Sequence, residues 1–288
     1  MTAVTNTVTF EAPAVTMPRS RTGGLTALFT LARRRLALSV RTPRELLIPV
    51  LAPLLFAVVV APALGDTFGA APGGIDYMTF VAVATIGLLV PLSCMNAGLG
   101  VVVDRVGGGL RDLLAAPVAR PWIVAGNIVV AVALSALQVV VLLGASALRG
   151  AEFQVDATGV MWFAATVVLF AVAMSAVADV LANRIATQEE YIGALPPVAI
   201  VPFFFAGSFF PISALPAGLA VIGKMLPLTH VIALVRYGLV DPNGSGLKDI
   251  WGMSNTTAMA ALSLGVVALF AVVATAGAIR VFGRTAVR

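Results

Sequence analysis

The chain has 288 residues, of which 60% are hydrophobic and only 11% charged, and its mean hydropathy is +1.03. Soluble domains carry about 25% charged residues, so this composition excludes a soluble globule and calls for an integral membrane protein. The net charge of +5 could suit nucleic acid, but the basic residues sit where membrane topology places them, and no nucleic-acid partner is expected.

Residues 1–24 are polar and Thr-rich, without an apolar h-region. They read as a disordered cytoplasmic tail rather than a cleavable signal peptide. Residues 25–45 mix apolar and basic side chains. Leu25, Leu28, Phe29, Ala32 and Leu36 follow helical spacing, with Arg33, Arg34 and Arg35 clustered among them. This pattern predicts an amphipathic helix lying in the membrane interface, its arginines at the headgroups. The simpler alternative is the basic flank of the first span.

Residues 46–288 then divide into six predicted spans, at about 46–64, 77–103, 122–148, 158–181, 191–207 and 257–281. A Gly/Pro/Asp loop is expected at Gly65–Gly74, and polar loops at Arg149–Ala157, Asn183–Glu190 and Asp241–Asn255. Asn96, in the second span, is a costly group at membrane depth and is expected to face protein, through a helix–helix hydrogen bond rather than the alternative of a ligand contact. Cys94, the only cysteine, reads as a small buried core residue. Asp179 is expected to pair with Arg184 about one turn on.

Two stretches stand apart from plain spans. Asp104–Pro121 reads DRVGGGLRDLLAAPVARP. Leu110, Leu113 and Leu114 share one helical face, Arg111 and Asp112 the other, with glycines before and Pro117 at the end. A short amphipathic helix in a connection suggests a surface presented to something. After the fifth span, Pro211, Pro216 and Pro227 break the chain into pieces too short to cross a bilayer easily. Broken apolar backbone at depth survives only against protein or a water-filled cavity, so this stretch reads as re-entrant half-helices. His230 and Arg236 lie there, six residues apart and on roughly opposite sides of a helix. Arg236 is expected to anchor at the outer headgroups or, alternatively, to line a substrate exit.

With both termini inside, fourteen Lys and Arg residues fall on the inner segments, among them Arg105, Arg111, Arg120, Arg184, Arg280 and Arg284. Only Arg149, Lys224, Arg236 and Lys248 fall outside. This positive-inside bias favours six spans and cytoplasmic termini.

Catalytic chemistry finds no support. Gly218–Lys224 spells G-x-x-x-x-G-K, but Met225 follows where a phosphate loop needs Ser or Thr, and no strand precedes it. His230 is the only histidine, with no cysteine or carboxylate at ligand spacing. No catalytic residue, bound cofactor or metal is expected. The pairing of Ala261 with Gly265 matches a small-xxx-small pattern, but so much alanine makes such matches uninformative.

FFPISALP followed by LPLTHVIALVR, between Pro211 and Arg236, is similar to the C-terminal signature of ABC-2 type transporter permeases. DRVGGGLRDLLAAPVAR resembles that family's cytoplasmic segment after the second span, and the closest character is that of drug-resistance exporters of the daunorubicin type. The resemblance implies an all-α permease whose coupling helix, Gly107, Gly108, Gly109, Leu110, Arg111, Asp112, Leu113, Leu114 and Pro117, docks on a separate cytoplasmic ATPase. Gly108-Gly109 stands where the family often has Gly-Thr. It implies an interfacial helix, with Leu28, Phe29, Arg33, Arg34 and Arg35, that also touches the ATPase. It implies an outer gate at Pro211, Pro216, Pro227, His230 and Arg236. Two ATPase subunits holding ATP and magnesium, and a second identical or homologous permease, would complete an exporter in the cytoplasmic membrane. Hydrophobic or amphiphilic substrates (drug, antibiotic or lipid) suit spans with so little charge. An ion-driven secondary transporter would need intramembrane carboxylates, for which only Asp179 is a candidate, or broken helices in both halves. A non-transporting scaffold would need neither the amphipathic connection nor the broken stretch.

Overall fold

The computed structural model describes residues 26, 29–30, 32–33, 51, 54–68, 71, 74–108 and 119–285. Every regular element among them is helical, as the long apolar runs require of backbone that cannot bond to lipid. A π turn, Phe56–Val60, leads into α1, Ala61–Phe68. The helix thus runs past Leu64 into the expected loop. Gly65 permits this, because a Cβ there would come within 2.9 Å of the Met78 Cβ; glycine lets α1 approach the next helix.

Three long helices follow: α2, Tyr77–Val106, α3, Arg120–Leu148, and α4, Ala157–Arg184. Each outruns its predicted span because polar residues complete the ends of an apolar core. The Asp76 carboxylate caps α2 by accepting from the Thr79 N–H at 2.9 Å, and Asp156 caps α4 by accepting from Gly159 at 2.9 Å. Pro91 sits inside α2 without ending it, since helices packed around α2 hold the backbone there.

The predicted fifth span is helical from Gln188 to Phe205 but in pieces. These are α5, Gln188–Leu195, a π turn at Pro196–Ile200, and α6, Val201–Phe205. Pro196, Pro197 and Pro202 cannot donate to the ladder, and the register slips where those donors are missing. The helix starts before Tyr191 because Thr187 caps it, accepting from Glu190 at 3.2 Å. Glu189 and Glu190, expected at a solvated loop end, lie exposed in its first turn, where the helix dipole favours acid.

Beyond α6 come a 3₁₀ turn at Ile212–Ala214, α7, Ala217–Met225, and α8, Pro227–Leu239. α7 and α8 meet at a bend of 78°. The expected loop at Asp241–Asn255 contains a further helix, α9, Ser245–Trp251, set between left-handed Gly244 and Gly252. The last helix is α10, Thr256–Thr285.

α4 is the hub of the bundle: α2, α3, α8 and α10 all pack against it. α2 is the innermost helix, with 89% of its apolar window buried, against 22% for α10. The main core joins Ile86, Val90, Leu142, Phe170, Phe203 and Ile232 across five of these elements. Cys94 lies fully buried there, 3.5 Å from the Ser135 Oγ and 3.4 Å from the Ser175 Oγ. Among the described residues four helices, α2, α3, α4 and α10, are long and apolar enough to cross a membrane, and the bent α7–α8 pair makes a fifth if it counts as one span. The six crossings expected from sequence are therefore not all supplied by long helices among the described residues.

Candidate functional site

The two stretches singled out in the sequence lie at opposite ends of α2. At one end α2 runs out through Arg105 and Val106 into Gly107 and Gly108. Gly108 has φ +84°, a left-handed conformation that favours glycine. Gly109, Leu110, Arg111, Asp112, Leu113, Leu114 and Pro117 lie outside the described residues, as do Leu28, Arg34 and Arg35 of the expected interfacial helix. Of that helix, Phe29 and Arg33 are helical and exposed, whereas Ala32 is buried.

Both roots of the 107–119 connection carry an arginine that caps another helix. The Arg105 guanidinium donates to the carbonyls of Ala182 at 2.8 Å, Ala186 at 3.1 Å, and Ile185. Ala182 lies in the last turn of α4, where carbonyls have no partner inside the helix, and Ile185 and Ala186 follow directly after it. Arg120 donates to the Gly283 carbonyl at 3.1 Å, near the end of α10. Cations at helix C-termini are favoured both by the free carbonyls and by the dipole. Close by, the Tyr191 hydroxyl of α5 donates to the Met95 carbonyl of α2 at 2.9 Å and fills a notch left by Gly98. Asp179 is buried on α4 while Arg184 is exposed at its end.

At the other end of α2 the broken stretch is held by Arg236. This residue is 6% exposed, so it is not an anchor at the headgroups. Its guanidinium donates to the carbonyls of Gly207 at 2.8 Å, Ser208 at 2.7 Å and Phe80 at 3.3 Å. The turn that presents the Gly207 and Ser208 carbonyls depends on Gly207, at φ +78°. The Tyr77 hydroxyl adds a bond to the Phe209 carbonyl at 2.8 Å. Pro211 and Pro216 stand just before the 3₁₀ turn and α7, and Pro227 opens α8, a position where the missing N–H costs nothing.

His230 faces the other side of α8. Its Nδ1 lies 3.1 Å from the Ser263 Oγ of α10 and its Nε2 3.1 Å from the Lys224 carbonyl, while the Trp251 indole donates to the same Ser263 at 2.8 Å. The lone histidine is thus a tie between α7, α8, α9 and α10. On the Arg236 side, between α8, α9 and the 3₁₀ turn, lies a cavity of about 300 Å³, whose lining includes Phe80, Ile212, Ser213, Arg236, Asp241 and Asp249. Asp249 of α9 accepts from the Ser213 N–H at 3.0 Å, closing α9 onto the 3₁₀ turn. Gly218 to Lys224 form part of the continuous helix α7, not a loop able to wrap a phosphate.

Sequence reasoning missed Arg105, Arg120, Gly98 and Ser263. The first two had a visible signal, since arginine beside a glycine run or a proline marks a helix boundary. Gly98 and Ser263 had none, because their partners come from distant elements.

An all-helical bundle of long apolar helices, with a bent apolar pair at one end and a charged connection at the other, defines a multi-pass membrane protein. The ABC-2 type transporter family model matches residues 26–240, and the chain belongs to that family: it is a transport permease. The protein ycf38 of Porphyra purpurea is 28% identical over 212 residues, 71% of each chain. The ycf38 of Pyropia yezoensis is 28% identical over 211 residues, 70% of each. Both of those proteins carry the name of a transport permease.

Proposed function

We propose that this chain is the transmembrane half of an ATP-driven exporter, powered by a separate cytoplasmic ATPase that docks on residues 107–117. The observation that carries the reading is the construction of the 107–119 connection. It springs from the innermost helix and is fastened at both roots, by Arg105 and Arg120, to the ends of α4 and α10. A connection so held can convert a push on its surface into movement of the bundle. The basic residues that crowd this end fit a cytoplasmic face. The same bias supports six crossings, the fifth made of α5 and α6, with α7 and α8 entering and leaving the outer leaflet.

The substrate class follows from the walls. Val, Leu, Ile, Met and Phe side chains lie exposed along the described helices and only 11% of the chain is charged, which suits hydrophobic or amphiphilic cargo. Two permeases, two ATPases and ATP with magnesium on the ATPases complete the machine. This chain supplies the pathway. ATP binding favours one arrangement of the spans over another, a population shift set by the differential affinity of the two states. The test is reconstitution of the co-purified complex in vesicles, with ATP-dependent movement of fluorescent lipids and cationic dyes as the readout. Movement of such a probe that requires ATP supports the proposal. ATP-independent movement that follows an imposed proton or sodium gradient would replace it with an ion-driven mechanism.

A further inference from the structure

We infer that Arg105 and Tyr191 are positioning residues that lock the inner half of α2, the end of α4 and the start of α5 into one rigid block, so that displacement of the 107–119 connection reaches the broken stretch through α5 and α6. The inference rests on the exporter reading above. Without these contacts the link from α4 to α5 would not be fastened to α2 beside the connection.

The geometry is specific. One guanidinium spans three carbonyls on both sides of the α4 terminus, Ala182 before it and Ile185 and Ala186 after it. The next residue, Thr187, is the cap of α5. Arg105 therefore fixes the link between α4 and α5 from two residues before the glycine turn that opens the connection. Tyr191, one turn into α5 and fully buried, makes a second fastening to the Met95 carbonyl. Ala178 of α4 closes the same notch, since a Cβ on Gly98 would come within 2.9 Å of the Ala178 Cβ. α2, α4 and α5 thus meet at two points about two to three helical turns apart along α2. From this block the chain continues through α5 and α6 to the Gly207 and Ser208 carbonyls that Arg236 grips. A lysine at 105 carries the charge but lacks the planar fork that bridges several acceptors.

The test uses the full chain with its co-purified ATPase in nanodiscs. Cys94 is buried and free, so introduced cysteines can be spin-labelled beside it. One pair, at exposed Val106 and Gln188, spans the block. A second, at Ser213 and Met253, reports the other end. In the wild type the first distance stays the same between nucleotide-free and ADP–vanadate states, while the second changes. Arg105→Ala retains the ATPase but loses the nucleotide response of the second pair, and ATPase stimulation falls about fivefold or more. Arg105→Lys and Tyr191→Phe give partial losses. A wild-type Val106–Gln188 distance that changes with nucleotide overturns the inference even if Arg105→Ala does not fold. So does an Arg105→Ala protein that is less stable yet responds normally, and in both cases the exporter reading stands. If the wild type retains no ATPase, the exporter reading fails and takes the inference with it.

Discussion

The guanidinium carbon of Arg236 lies 3.3 Å from the centroid of the Phe80 ring, which places a buried cation of α8 over an aromatic ring of α2. Cation–π stacking strengthens when the pair is removed from water, and the three carbonyl acceptors of Arg236 satisfy most of its remaining donors. The turn after α6 is thereby pinned to the innermost helix.

Arg236→Met removes the fork and leaves the Gly207 and Ser208 carbonyls of the turn without that donor, while the Phe80 carbonyl keeps its place in the α2 ladder. Each buried orphan costs about 1–3 kcal/mol, and local relaxation recovers part, so a loss of about 3 kcal/mol is expected. Arg236→Lys falls between the two. Thermal unfolding in detergent is the measurement, with exposed Arg149→Ala as a control that shifts little. An Arg236→Met protein as stable as the control would contradict the pin.

Gly98→Ala is expected to destabilise the junction of α2 and α5, because the new methyl would overlap the Tyr191 hydroxyl. The clashing atom is that oxygen, so Tyr191→Phe should relieve part of the damage. Neighbours in contact couple by about 0.5–3 kcal/mol. A double-mutant cycle on midpoint temperature reads the coupling, and strictly additive effects would show that the notch is not filled as described. The relief is partial because Ala178 also closes the notch.

α4 and α8 cross at paired glycines. A Cβ on Gly238 would stand 2.6 Å from the Gly159 carbonyl oxygen, and backbone cannot give way as a side chain can. Gly238→Ala should therefore force the helices apart at about 1–3 kcal/mol. Gly265 of α10 meets nothing within 4 Å, so Gly265→Ala should leave the chain as stable or raise it by about 0.5–1 kcal/mol through helix propensity. Parallel melting curves separate the two, and equal effects would sink the argument.

How much of this was legible depended on the distance over which each residue finds its partner. The long spans followed from uninterrupted apolar runs, and their ends were short by a few residues because caps such as Asp76, Asp156 and Thr187 lie outside those runs. α9 was invisible to periodicity, being seven residues long, although Gly244 and Gly252 bracket it. Arg236 could not be placed from sequence. Its acceptors Gly207 and Phe80 lie 29 and 156 residues away, and an arginine in an apolar helix reads equally as a headgroup anchor. His230 was isolated in the sequence for the same reason, with Ser263 being 33 residues on.

Asn96 departs from expectation in the opposite sense. It is exposed, in line with half-buried Leu92 and exposed Val103, so it does not serve as a bond between helices of this chain. The covered faces of α2 are those turned to α1, α3, α4, α5 and α8, and Asn96 falls on the remaining stripe. Asn96→Leu should change the stability of the single chain by no more than about 0.5 kcal/mol. A loss of several degrees in Tm on that substitution would mean that the side chain has a partner within the fold.

The central claim is that residues 107–117 are the dock of an ATPase. The most direct measurement is ATPase activity of the complex, comparing wild type with Leu113→Asp/Leu114→Asp, after confirming that both insert and melt alike. The account predicts that the double variant loses the ATPase on purification, or retains it with the stimulation by the permease abolished. A double variant that holds its ATPase and stimulates it normally would contradict the claim and move the coupling surface elsewhere on the chain.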